Sequence, residues 1–345
     1  MKKGKKGITI HDIAKTLNIS ASTVSRSLND HPNTNIHTKK LVQKTAKKLN
    51  YNLNSIASRL RSGRSNTIGL IIPRLDREYF SNVIYSIETN LYQRGYNILI
   101  CQSNENFEKE KASFQTLLRN KVAGLVVSIS KETIDSKFME NVIAEGIPLI
   151  QFDRVLKGVK GNKVINDNFG AAYQAVSYMI AQGYTKIAHY AGPLHINIFE
   201  DRFLGYKRAL KDHGIAFRKE LVIQQGLSKD EGELITSRLF CKPDHPEAIF
   251  ASSDYAALGA MIRLREMGFS VPADIGVCGY ANEPFTELFG LTSIDQYSSE
   301  MGKTIAKTLL ESIEEKDVPD IPKTITIEPK LIPRKSTQRQ VNSAV

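Results

Sequence analysis

From residue 67 onward the chain alternates short apolar runs with amphipathic stretches of helical period, and this restricts it to a mostly parallel sheet covered by helices. Ile68–Ile72, Asn97–Cys101, Gly124–Ser128 and Pro148–Phe152 read as strands, with helices expected near 79–94, 108–120 and 132–145. The alternation resumes in Lys186–Tyr190, Leu221–Gln225, Ala248–Ala251 and Ile275–Gly279. Two similar groups imply two doubly wound halves with a cleft between them, and ligands of such sheets bind beyond the carboxyl ends of the strands.

The first 65 residues follow a different pattern. They hold 14 Lys or Arg against two acids, Asp12 and Asp30, whereas the other 280 residues balance to a net charge of −1. A compact basic module on a near-neutral body is the electrostatic footprint of nucleic-acid binding, because displaced counterions supply the free energy. Thr9 followed by Asp12 reads as a capping box, and Ile10, Ile13, Ala14 and Leu17 repeat at helical spacing. Ser20 is a natural N-cap for a second helix that buries Ala21, Val24 and Leu28 and turns Ser22, Thr23, Ser25 and Arg26 outward. A third helix, about Thr38 to Leu49, directs Leu41, Val42, Thr45, Ala46 and Leu49 inward and five lysines mostly outward. Small polar residues on the first turn of a second helix, with Arg one turn later, suit a recognition helix in the major groove.

Composition excludes several classes. No run approaches the roughly 18 apolar residues of a membrane span, and the segment after the basic start is polar and periodic where a signal peptide needs an apolar core. Cys101, Cys241 and Cys278 are scattered and form no CxxC, so neither a disulfide framework nor a zinc site is expected and a reducing cytoplasm fits. There is no GxGxxG, GxSxG or HExxH; Gly302, Lys303 and Thr304 imitate the end of a phosphate loop, but Tyr297 stands where its first glycine belongs. Neither catalysis nor a cofactor or metal is expected. A sugar-binding transport protein would share the cleft but not the basic module.

The runs TIHDIAKTLNISASTVSRSLN and LNYNLNSIASRLRSGRSNTIGLIIP, followed by QFDR, INDNFGAA, HYAGP, EDRFLGY, AIFASSD, VPADIGVCGY and LTSIDQ, strongly resemble the lactose/galactose repressor (LacI/GalR) family of bacterial regulators over nearly the whole chain. The resemblance implies an all-α helix-turn-helix headpiece plus an α/β effector domain like periplasmic sugar-binding proteins, its chain crossing three times between two doubly wound parallel-sheet halves. Domains are expected at 1–52 (DNA binding), 53–66 (hinge helix and linker) and 67–340 (effector). The resemblance assigns base reading to Ala21, Ser22 and Arg26, and phosphate contacts to Ser20, Thr23, Ser25, Asn29, Asn35 and Thr38. It makes Asn54 to Leu60, including Ala57, a hinge that folds on operator DNA with Leu60 as the minor-groove wedge. Family hinges usually carry Pro where Leu53 stands.

Strand ends nominate the pocket: Pro73, Tyr79 and Phe80 after the first strand, Gln102 and Ser103 after the second, Asp153 and Arg154 after the fourth. Asp167, Arg202, Ser253, Asp254 and Gln296 come from the other half or its crossover, and by resemblance Arg202 grips polar ligand oxygens. Departures from the family pattern are Ser253 for Asn, Ala281 for Asp, and Ile196 and Ile198 at positions polar in several relatives. The expected protein is a homodimeric, sequence-specific regulator, a repressor, whose affinity for double-stranded operator DNA is controlled allosterically by a small sugar-like effector. The alternative is an activator or a global regulator using a protein corepressor.

Overall fold

The computed structural model describes residues 8–28, 31, 33–49, 51, 65–314 and 322–339. The chain divides into two compact units, Met1–Arg64 and Ser65–Val345.

In the first unit, helices α1 (Ile10–Leu17), α2 (Ala21–Leu28) and α3 (Ile36–Lys48) share a core of Ile13, Ala14, Val24, Val42 and Ala46. The Asp12 carboxylate accepts from the Thr9 amide at 2.8 Å and the Thr9 hydroxyl at 2.7 Å, which fixes the start of α1. Helix α3 begins two residues before the expected start because Asn35 caps it, its Oδ1 accepting from the His37 amide at 2.8 Å. Leu41, expected inward, is exposed; the buried stripe passes through Val42 and Ala46, and Leu41 lies beside it.

The second unit contains the two expected halves. The N-terminal half is a six-stranded parallel sheet in the order β11-β5-β4-β3-β1-β2, built from β1 (Thr67–Ile72), β2 (Asn97–Gln102), β3 (Gly124–Val127), β4 (Leu149–Phe152), β5 (Asn162–Asn166) and β11 (Thr324–Ile327). Helices α4 (Glu78–Tyr92), α5 (Phe107–Arg119), α6 (Lys137–Ala144) and α12 (Ser298–Glu314) accompany it. The C-terminal half is a four-stranded parallel sheet in the order β7-β6-β8-β9, from β6 (Ile187–Tyr190), β7 (Val222–Ile223), β8 (Ala248–Ala251) and β9 (Gly276–Cys278). With it go α7 (Asn168–Ala181), α8 (Asn197–Asp212), α9 (Lys229–Phe240), α10 (Asp254–Glu266) and α11 (Phe285–Leu288), and the antiparallel pair β10 (Ser293–Asp295) and β12 (Lys330–Ile332).

Three expectations shift. Leu221–Gln225 contracts to a two-residue strand because a 3₁₀ turn takes Lys219–Leu221, and the helix expected from 132 starts at Lys137. Strands β5 and β11 have no counterpart among the expected elements: β11 is exposed at every second residue, so it carries no apolar run. Gly302 also finds its role, in packing. A Cβ there would stand 2.5 Å from Ser86 Cβ and 2.6 Å from the Val83 carbonyl oxygen, so α12 approaches α4 as closely as only glycine allows.

The chain passes between halves at 166–168, 295–298 and 327–330. Asn166 ties the three passages together: its Nδ2 donates to the Gln296 carbonyl at 3.1 Å and to the Ile327 carbonyl at 3.5 Å. Among the described residues, no helix is long and apolar enough to cross a membrane.

Candidate DNA-reading face and effector cleft

The fully buried Val24 anchors α2 in the first unit's core, which leaves Ser22 and Arg26, one turn apart, exposed on the opposite face. Ser20 caps this helix; its Oγ accepts from the Thr23 amide at 3.1 Å and lies 2.8 Å from both the Ser22 and Thr23 hydroxyls. Ala21, Thr23 and Ser25 are half-buried on the same first turns, Thr38 is half-buried, and Asn35 is exposed at the start of α3. Ser20, Ser22 and Thr23 lie at the amino terminus of α2 and Asn35 and Thr38 at that of α3, where backbone amides favour anions. Asn29, Asn54, Ala57 and Leu60 lie outside the described residues.

In the second unit a cavity of about 390 Å³ opens between the halves at the carboxyl ends of β1, β4, β8 and β9. Eight sequence-nominated residues line it: Tyr79, Phe80, Asp153, Arg154, Arg202, Ser253, Asp254 and Gln296. Four do not. Pro73 is buried outside the cavity lining, and Gln102 bonds Asn104 at the end of edge strand β2. Ser103 is fully buried with its amide on the Ile72 carbonyl at 2.9 Å, and Asp167 caps α7, accepting from the Gly170 amide at 2.8 Å. The strand-end rule places these residues near the cleft without saying which way each points.

Arg202 is held on three sides. Its Nε donates to Asn168 Oδ1 at 2.9 Å, its Nη1 donates to the Ser252 carbonyl at 3.0 Å, and its guanidinium carbon sits 3.5 Å from the Tyr280 ring centre. Tyr280 in turn donates to Asn168 Oδ1 at 3.0 Å. Such a fixed guanidinium meets a ligand oxygen with little further loss of rotamer freedom. Asp153, also in the wall, adopts φ 56°, and burial raises its carboxyl above the usual range against the opposing pull of Arg154 and Arg202.

Asp254 and Arg154 are already engaged by protein partners. Both Asp254 oxygens are occupied, Oδ1 by the Ser293 hydroxyl at 2.6 Å and Oδ2 by the Glu283 amide at 2.9 Å, so this residue braces the floor; burial lifts its pKa to about 6. Arg154 Nη1 meets both Glu105 oxygens at 2.8 and 2.9 Å. Behind that pair Glu110 accepts from the Ser130 amide at 2.6 Å and the Thr133 hydroxyl at 2.7 Å, and burial pushes its pKa up to about 7. What stays unsatisfied is informative: Tyr79 Oη, Ser252 Oγ and Arg154 Nε are buried without a protein partner.

Sequence reasoning missed Tyr280, Ser252, Phe199, Glu105 and Arg77, all in the wall. Tyr280 and Ser252 follow β9 and β8, so the same strand-end rule would have found them. Phe199 has a weaker signal, one turn before Arg202. Among the described residues no group of His, Cys, Asp or Glu is arranged to hold a metal ion.

Residues 9–54 match the family model described as bacterial regulatory proteins, lacI family, and residues 176–337 match a periplasmic binding protein-like domain. A protein named HTH-type transcriptional repressor PurR, from Yersinia enterocolitica, is 31% identical over 95% of this chain and 96% of its own length. A crystal structure of the lac repressor dimer bound to operator and the anti-inducer ONPF superposes with TM-score 0.85 at 26% identity, over 96% of this chain and 99% of the other. A transcriptional regulator CelR–cellobiose complex superposes with TM-score 0.71 at 25% identity, over 95% and 99%.

Proposed function

We propose, from the premise that the chain belongs to the lacI family of bacterial regulatory proteins, that its effector is a sugar or sugar derivative gripped by Arg202 and Asp153. Membership makes the chain a DNA-binding transcriptional regulator of the repressor type with a small-molecule effector domain, and not an enzyme. The observation that carries the finer reading is the immobilised Arg202 beside Asp153, facing the unpaired hydroxyls of Tyr79 and Ser252 in a cavity of about 390 Å³. A guanidinium and a carboxylate supply donors and acceptors for neighbouring hydroxyls, while Phe80, Phe199 and Tyr280 offer rings to an apolar sugar face. A relative of the same fold is bound to cellobiose. Tyr79, Phe80, Arg154, Ser253 and Gln296 complete the assigned wall.

On the DNA side, Ala21, Ser22 and Arg26 read bases, while Ser20, Thr23, Ser25, Asn29, Asn35 and Thr38 meet phosphates. Asn54, Ala57 and Leu60 enter the minor groove as a hinge, with 53–66 as hinge and linker. One recognition helix reads only a few base pairs, so a homodimer spans two half-sites about one helical turn apart. The similar lac repressor is a dimer on its operator.

The test is a thermal-shift panel of neutral sugars, phosphosugars and nucleobases. A bound ligand at a hundred times its Kd stabilises by about 2.7 kcal/mol, and Arg202→Ala should abolish that shift. Stabilisation by a nucleobase with none from any sugar overturns the ligand assignment.

A further inference from the structure

Protein contacts bridge the cleft. Asn197, the first residue of α8 in the C-terminal half, reaches the segment after β4 in the other half, where its Oδ1 accepts from the Val155 amide at 3.0 Å and its Nδ2 donates to the Asp153 carbonyl at 3.1 Å. Beside it, His195 Nε2 lies 2.6 Å from the Lys131 carbonyl oxygen, and Lys157 pairs with Glu200 at 2.9 Å. A separate pair of residues links the halves as well: the Arg77 guanidinium, ahead of α4, stacks 4.0 Å from the Tyr255 ring centre at the start of α10.

These contacts differ from those that hold the ligand wall. Lys157 and Glu200 are exposed and their ion pair is worth little. Asn197 is different, because it satisfies two backbone groups of the strand end that carries Asp153 and Arg154, and Asp153 is held there at φ 56°. Parting of the halves exchanges these two hydrogen bonds for bonds to water, at the modest net cost of an ordinary hydrogen bond each.

We propose that Asn197 is a latch that holds the two halves together without ligand and positions Asp153 and Arg154, with Arg77 and Tyr255 as an independent second clasp. The inference rests on the cavity being the effector site for its importance, but not for its test. The latch sets the open-to-closed ratio on which any effector acts, so loosening it taxes the closed state before a ligand arrives.

The test uses thiol accessibility in the full chain without ligand or DNA. Cys101→Ser and Cys241→Ser remove the accessible native thiols, Ser252→Cys places a probe in the cavity wall, and the fully buried Cys278 remains as an internal reference for unfolding. The reaction with a bulky maleimide is read site by site by mass spectrometry. Adding Asn197→Ala should speed modification of the cavity thiol by on the order of tenfold, the weight of two ordinary hydrogen bonds, and leave Cys278 as slow as before. Tyr255→Leu should raise the cavity rate separately, and the two changes should multiply. An unchanged cavity rate in Asn197→Ala, a cavity thiol already as reactive as a free one in the parent, or a matching rise at Cys278 overturns the latch. Because no effector enters the assay, its failure is distinct from a wrong ligand assignment.

Discussion

His189, in the middle of β6, is the buried group whose titration should be most visible. Its ring lies between Tyr206, 5.0 Å away at 27°, and Phe250, 4.9 Å away at 12°. Nδ1 is 3.0 Å from the Phe250 carbonyl oxygen, so Nδ1 is the protonated nitrogen, and Nε2 faces the interior without a partner. A second proton would put a charge where nothing receives it, and burial brings the pKa down from 6.5 to about 4. A histidine depressed in the folded state leaves stability intact above its unfolded pKa and withdraws it as pH falls through the window from 6.5 to about 4. At 1.36 kcal/mol per unit the full loss is about 3 kcal/mol, of which about 2 kcal/mol is gone by pH 5. His189→Phe keeps a ring between Tyr206 and Phe250 and removes the titration. Urea unfolding of both proteins, followed by circular dichroism from pH 7.5 to 5, isolates the effect, because the buried carboxyls common to both cancel in the difference. The parent should lose about 2 kcal/mol relative to His189→Phe. Stability curves that stay parallel to within about 0.5 kcal/mol would refute a neutral, unpaired His189.

The opposite sign is expected at Glu110, whose raised pKa of about 7 means stability is fully present below pH 4.5 and lost as pH rises to 7. Relative to Glu110→Gln, the parent should lose about 3 kcal/mol over that range in the same unfolding assay; a loss on acidification instead would show the carboxyl is ionised. Arg202→Lys cannot lie flat on Tyr280 while reaching both Asn168 and Ser252, so calorimetry with the sugar that stabilises the parent should show at least about tenfold weaker binding. Arg26→Ala should relax discrimination by about 1–3 kcal/mol at one base position, read from a selected binding-site profile that would otherwise stay unchanged. Lys44→Ala, Lys47→Ala and Lys48→Ala should instead weaken binding to all sequences, and the salt slope should fall by about one unit for each phosphate that is no longer neutralised.

Much of this was legible in the sequence because burial coincides there with apolar runs in strands and with helical period in helices. Ile68, Leu70, Ile71 and Ile72 are fully buried in one continuous apolar run, and Ile13 and Val24 are fully buried where a 3.6-residue period puts them. The charge asymmetry located the DNA-binding unit, and strand ends together with the family resemblance located eight cavity residues. What escaped depends on orientation and on partners distant in sequence. Asp254 looks like a ligand contact in sequence, yet Ser293 and the Glu283 amide occupy it. Asn168, which fixes Arg202 from 34 residues away, has no periodic signature, and Leu41 shows that an apolar residue on a helix need not share its buried stripe. Strand β11 pairs with β5 across about half the chain, a pairing that local pattern cannot announce.

The convergence of three chain passages on Asn166 has a mechanical consequence. Asn166 and Ile327 are register partners at the ends of β5 and β11 in one sheet, so the Asn166 side chain fastens the Gln296 crossover to the N-terminal half and holds the three passages side by side. Relative motion of the halves is therefore expected to turn about these neighbouring crossovers, so that a molecule a few ångströms across at the cleft produces a larger displacement at the far end of each half. Leverage grows with distance from the pivot, so motion is smallest at Asn166 and largest at the periphery.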